Sequence, residues 1–98
     1  MIYEDLYELG WQDRDTKQII YGPIKKQVET FSLTDEVGNE WIMGFFLFDD
    51  DLYQAMINVV DEDCDYNEWE NSETRFYGFL KTKEDLRTIM RFVDILGY

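Results

Sequence analysis

The sequence predicts an α+β fold: a small, mainly antiparallel sheet of three to four strands packed with two to three helices. Three observations carry this reading. Apolar residues recur at helical spacing in three segments. Runs rich in β-branched and aromatic residues, bounded by turn residues, occupy the stretches between them. The resulting order α, β, β, β, α, β, α places helices against a sheet built mostly from hairpins. Ninety-eight residues make one domain, because each half would approach the roughly 40 residues below which a core needs disulfides or metals. With 45% apolar and 17% aromatic residues, the chain can bury a core that a disordered acidic tail could not.

Taken in order, Ile2, Leu6 and Leu9 fall on one helical face with Gly10 as a stop, which predicts a short helix over Ile2 to Leu9. A strand follows around Lys17 to Tyr21, ended by Gly22-Pro23. Gln27 to Leu33 and Glu40 to Phe48 read as a hairpin joined by Asp35 to Asn39, with Gly38 in the turn. Glu40 to Phe48 is apolar on both faces, so it belongs in the middle of the sheet. Leu52, Ala55, Met56, Val59 and Val60 match the i, i+3, i+4, i+7, i+8 rule and predict a second helix, with Asp49, Asp50 and Asp51 at the positive end of its dipole. Aromatic residues alternate through Arg75 to Leu80, a further strand. The last helix has Thr82 as N-cap and Asp85 at the third position. Its buried face is Leu86, Ile89, Met90, Val93 and Leu96, and Gly97 lies past its end.

Charge is polarised along the chain. The net charge is −13, yet between Lys26 and Arg75 there is no base at all, and the fourteen acids from Glu29 to Glu73 carry −14. The rest of the chain is close to neutral. The densest stretch is Asp61 to Glu73, where Asp61, Glu62, Asp63, Asp65, Glu68, Glu70 and Glu73 are interleaved with Tyr66 and Trp69. A run of this kind can be a solvated loop that keeps the protein soluble. Two features favour a binding surface instead. Self-repulsion among uncompensated acids costs folding free energy, and Trp is the residue type most enriched at interface hot spots.

Little catalytic equipment is present. There is no histidine and one cysteine, Cys64, which excludes His-based triads, ordinary zinc sites and an intrachain disulfide. Cys64 lies between two acids, a setting that discourages the thiolate. Asp61, Asp63 and Asp65 reproduce the opening of a calcium loop, but Tyr66 stands where an EF-hand needs Gly and Ser72 where it needs Glu. Asp49, Asp50 and Asp51 point in different directions if they cap a helix and converge poorly on one ion. No phosphate loop of the G-x-x-x-x-G-K type occurs. Phe45, Phe46, Phe48, Phe76, Tyr77 and Phe79 read as core more readily than as a cofactor pocket.

These features predict a non-enzymatic binder of a basic protein surface, with no catalytic residues, metal or cofactor, no direct nucleic-acid contact and no membrane contact. Its predicted binding residues are Asp49, Asp50, Asp51, Asp61, Glu62, Asp63, Asp65, Tyr66, Glu68, Trp69, Glu70 and Glu73. Basic surfaces inside cells are often nucleic-acid sites, and spaced carboxylates can stand in for phosphates. In size and charge the chain resembles the DNA mimics: phage anti-CRISPR, anti-restriction and glycosylase-inhibitor proteins. That resemblance implies an inhibitor occupying the nucleic-acid groove of a partner enzyme. The alternatives are an immunity protein that neutralises a bacterial nuclease toxin, or an acidic regulatory or structural subunit. The lone thiol, and an N-terminus without a basic leader, point to the cytoplasm, that of the host if the chain is phage-encoded.

Overall fold

The computed structural model describes residues 3–13, 17–21, 24–60, 72–95 and 97. The chain runs α1 (Tyr3–Glu8), β1 (Gln12–Asp13), β2 (Lys17–Tyr21), β3 (Ile24–Thr34), β4 (Glu40–Asp49), β5 (Leu52–Val60), β6 (Ser72–Leu80) and α2 (Lys83–Phe92). The sheet follows the order β1-β3-β4-β5-β6, with β2 pairing β3 off that path, and every ladder is antiparallel. Each strand from β3 onward therefore lies beside its neighbour in sequence. Among the described residues this meander carries the α+β class, with more strands than the three to four expected and two helices.

Alternation along each strand sorts side chains onto two faces. Phe31, Leu33, Trp41, Met43, Phe45, Ala55, Ile57 and Leu80 share one core with Leu6, Leu9 and Trp11 from the N-terminal segment and Leu86, Met90, Val93 and Ile95 from the C-terminal one. Both helices thus cover the same face. The Trp11 indole N–H donates to Met90 Sδ at 3.4 Å, and the Lys83 ammonium donates to the Glu8 carboxylate. On the second face Thr30, Ile42 and Asn58 are buried, whereas Phe48, Tyr77 and Phe79 are about half exposed. As expected, β4 is central and buried on both faces through Phe45, although Leu47 and Phe48 beyond it are exposed.

Leu52 to Val60 is the main correction: the predicted helix is strand β5. Asp49 pairs with Leu52, so the chain reverses at Asp50-Asp51, with φ of 39° at Asp50, in a two-residue hairpin turn. A strand buried on both faces loses the polar alternation that identifies it. Its two polar residues, Gln54 and Asn58, stand four apart, a spacing that a helix also places on one face. In β5 both are buried and bonded across to β6: Gln54 Nε2 donates to Tyr77 Oη (2.7 Å) and Asn58 Nδ2 to Ser72 Oγ (2.8 Å). The β-branched Ile57, Val59 and Val60 suit the pleated surface.

Both helices end in the same motif, a Schellman turn. At α1, Trp11 N–H bonds to Leu6 C=O and Gly10 N–H to Tyr7 C=O, with φ of 98° at Gly10. At α2, Ile95 N–H bonds to Met90 C=O and Asp94 N–H to Arg91 C=O, and the left-handed position is taken by Asp94 (φ 67°). The residue after each turn, Trp11 or Ile95, is buried. The predicted start of α2 holds: Thr82 Oγ1 accepts from Asp85 N–H and Asp85 Oδ2 from Thr82 N–H. Its end comes earlier than Gly97, and Leu96 lies outside the described residues. An L-residue in the left-handed region is strained, and an acid at a helix C-terminus opposes the dipole. Asp94→Gly is therefore expected to stabilise the fold by about 1 kcal/mol, read as a raised urea midpoint with an unchanged slope.

Candidate functional site

Of the twelve predicted binding residues, four lie in described regions. Asp49 ends β4, and Asp50 and Asp51 form the β4–β5 turn; all three are exposed. They crown a hairpin and do not cap a helix, because the segment after them is β5. Among the described residues none of the three is in an ion pair. Glu73 is exposed on β6 opposite Val59, and Arg75 Nη2 reaches its carboxylate at 3.3 Å. Asp61, Glu62, Asp63, Asp65, Tyr66, Glu68, Trp69 and Glu70 lie outside the described residues, as does Cys64.

The topology separates the two acidic groups. β5 leaves the Asp50-Asp51 turn at Leu52, and Glu73 faces Val59 seven residues later, about 23 Å along a strand. Val60 and Ser72, which bracket 61–71, pair with each other at that far end. In a meander alternate connections share an end, so the β3–β4 turn lies there too. It contributes the exposed Glu36, and the half-buried Glu40 follows it at the start of β4.

Asp35, in the same turn, is 7% exposed and committed to the fold. Its Oδ1 accepts from Val37 N–H (3.1 Å) and Asn39 N–H (2.9 Å), and its Oδ2 accepts from Trp41 Nε1–H (3.0 Å). Burial pushes this carboxyl upward, but the bonds from Trp41, Asn39 and Val37 outweigh it and hold the pKa below its ordinary value. One of the fourteen acids is thus a structural anion, unavailable to a partner.

The sequence reading missed an aromatic strip on the second face. Phe46 pairs with Gln54 and Gln54 with Phe79, while Met56 pairs with Tyr77. Phe48 and Phe79 meet edge to face, with centroids 5.0 Å apart. Of the six aromatics read as core, Phe45 is buried and Phe46 and Phe76 are half buried. Phe48, Tyr77 and Phe79 are about half exposed, and Phe48 immediately precedes the Asp49–Asp51 segment. The available signal was the alternation within RFYGFL, which sends Phe76 and Leu80 to one face and Tyr77 and Phe79 to the other. It required knowing that helices cover only one face.

Among the described residues no group of three or more Asp, Glu, Cys or His side chains is placed to hold a metal ion, and no helix is long and apolar enough to cross a membrane. No protein-family model matches the chain, and neither curated proteins nor solved structures give a significant match.

Proposed function

We propose that this protein is a non-enzymatic acidic inhibitor that occupies the basic nucleic-acid-binding surface of a partner enzyme. The observation that carries this reading is the run of fourteen acids from Glu29 to Glu73 with no base between them. The meander adds to it, since two of the three connections within that run leave the sheet at one end. A field of that sign steers Lys- and Arg-rich surfaces inward and repels phosphates. The contacts would come from Asp61, Glu62, Asp63, Asp65, Glu68, Glu70 and Glu73, with Tyr66 and Trp69 as aromatic anchors. Asp49 to Asp51 would add a second contact only to a partner that spans the sheet.

Salt provides the test, because it acts in opposite directions on folding and binding. Screening relieves repulsion within the free protein, so its stability rises with ionic strength as the Debye length falls below about 10 Å. The same screening slows association with a basic partner. A partner captured from lysate at low salt and released by competing DNA gives the complex to measure. Changing Asp63, Asp65, Glu68 and Glu70 to amides is expected to raise free-protein stability slightly and lower the association rate. Trp69→Ala is expected to cost about 2 kcal/mol of affinity, mainly through faster dissociation. An inhibitor whose affinity ignores both salt and these substitutions would show that the acidic stretch is only a solvated surface.

A further inference from the structure

Phe92, the last residue of α2, is 80% exposed, more than any other large hydrophobic side chain among the described residues. Helical spacing puts it on the same stripe as Asp85, Thr88 and Ile89. That stripe borders an open groove of about 430 Å³, lined from α2 by those three residues and from the sheet side by Leu52, Phe76, Phe79 and Leu80. One face of α2 thus carries an unpacked aromatic ring at its C-terminal end and an apolar groove along the turns before it. Charge on this surface is balanced. From Lys81 to Asp94 there are four bases and three acids, and Glu8 binds Lys83. Arg87 pairs with Glu84, and Lys81 and Arg91 are also engaged within the chain. The surface therefore has no net charge with which to draw a strongly basic or acidic partner, in contrast with the −14 carried between Glu29 and Glu73.

We propose that α2 and its groove form a two-fold interface between two copies of this chain, with the α2 helices antiparallel and Phe92 of each copy seated in the groove of the other. Self-complementarity selects this occupant. A two-fold interface uses the same patch on both subunits, so it needs a projection and a matching recess on one surface. Phe92 and the groove supply both on a single stripe. Antiparallel packing about Thr88 carries Phe92 of each copy to the Glu84–Asp85 turn of the other, where the groove lies. The same arrangement sets the acidic first turn, Glu84 and Asp85, against the last turn with its Arg91, and brings opposite ends of the two helix dipoles together. Lys81 and Asp85 give the groove one charge of each sign, so an uncharged ring suits it. Phe79, half exposed there, offers that ring an aromatic neighbour. Repulsion between two chains of −13 opposes the dimer, and its nearest sources are Asp49, Asp50 and Asp51, which immediately precede Leu52. One helix pair buries less than about 1,200 Å² in total, so the dimer is weak and is strengthened by salt. None of the residues assigned to a basic partner takes part in it.

Sedimentation equilibrium of the full chain from about 10 µM to about 1 mM reads the association. A monomer–dimer equilibrium is expected, about tenfold tighter at ~500 mM salt than at ~50 mM as the Debye length falls. Phe92→Asp should abolish dimerisation and Phe92→Ala should weaken it about tenfold, both with unchanged circular dichroism because the side chain is exposed. Thr88→Arg, on the groove wall, should disrupt the same contact from the other side. In a mixture of ¹³C-labelled and unlabelled chains, filtered NOEs are expected from the Phe92 ring to Leu52, Phe79 and Ile89. A chain that stays monomeric to about 1 mM at both salts leaves the groove to another occupant and overturns the proposal. So does a dimer that weakens with salt, survives Phe92→Asp, or shows filtered NOEs from Phe92 only to Phe92. Amides at Asp63, Asp65, Glu68 and Glu70 should tighten the dimer slightly while weakening capture of a basic partner, which keeps failure of the two readings distinguishable.

Discussion

Trp11→Ala is expected to lower the unfolding free energy by about 4 kcal/mol, the largest single-residue effect anticipated here. Trp11 is 1% exposed and follows the turn that ends α1. Its indole packs in the core shared by Leu6, Leu9, Leu86 and Met90 and donates to the Met90 sulfur. Truncation removes a large buried surface at the place where the two helices meet over the sheet, so local collapse cannot close the cavity cheaply. Trp11→Phe keeps most of the volume and loses the sulfur contact, and should cost about 1 kcal/mol. Urea unfolding followed by circular dichroism checks both. A loss below about 1 kcal/mol for Trp11→Ala would show that α1 does not pack against α2.

The second large effect is expected at Asp35. Asp35→Ala leaves the buried Trp41 indole N–H and the turn N–H groups of Val37 and Asn39 without their acceptor. At about 1–3 kcal/mol for a buried donor left unpaired, the total should be about 3 kcal/mol, since the turn amides can recover water. The pH dependence follows from the direction of the shift. The folded pKa lies below the ordinary 3.8, so the stabilisation is fully present above that value and is lost as pH falls through the folded pKa. In wild type the unfolding midpoint should therefore drop steeply in acid, and in Asp35→Asn that part of the drop should be missing. Asp85 acts in the same sense, because the backbone N–H groups of Lys81 and Thr82 hold its carboxyl below the ordinary value. The difference between wild type and Asp35→Asn isolates the anchored carboxylate. Identical acid profiles for the two would refute its role.

Local signals were sufficient for much of this protein. The helix at residues 3–8 with its Gly10 stop, the Thr82–Asp85 capping box, the β3–β4 hairpin and the central place of β4 all rest on short-range chemistry. Side chains bond to nearby backbone, turn residues adopt particular dihedrals, and apolar periodicity persists over one element. Charge polarisation is likewise a property of the chain alone. The state of Leu52 to Val60 was decided by tertiary structure. A strand buried between two others shows no alternation, and only pairing with β4 and β6 distinguishes it from an amphipathic helix. That one change moved Asp49 to Asp51 from a helix cap to a hairpin turn and placed them at the end of the sheet away from Glu73. Packing also divided the chain's aromatics. Two helices can cover only one face of the sheet, so Phe45 is core while Phe48, Tyr77 and Phe79, alike in composition, remain half exposed. Which of two neighbouring acids lies at the surface was decided in the same way. Asp35 and Glu36 are adjacent and chemically similar, but the indole of Trp41, six residues beyond Asp35, makes one a buried structural anion and leaves the other at the surface.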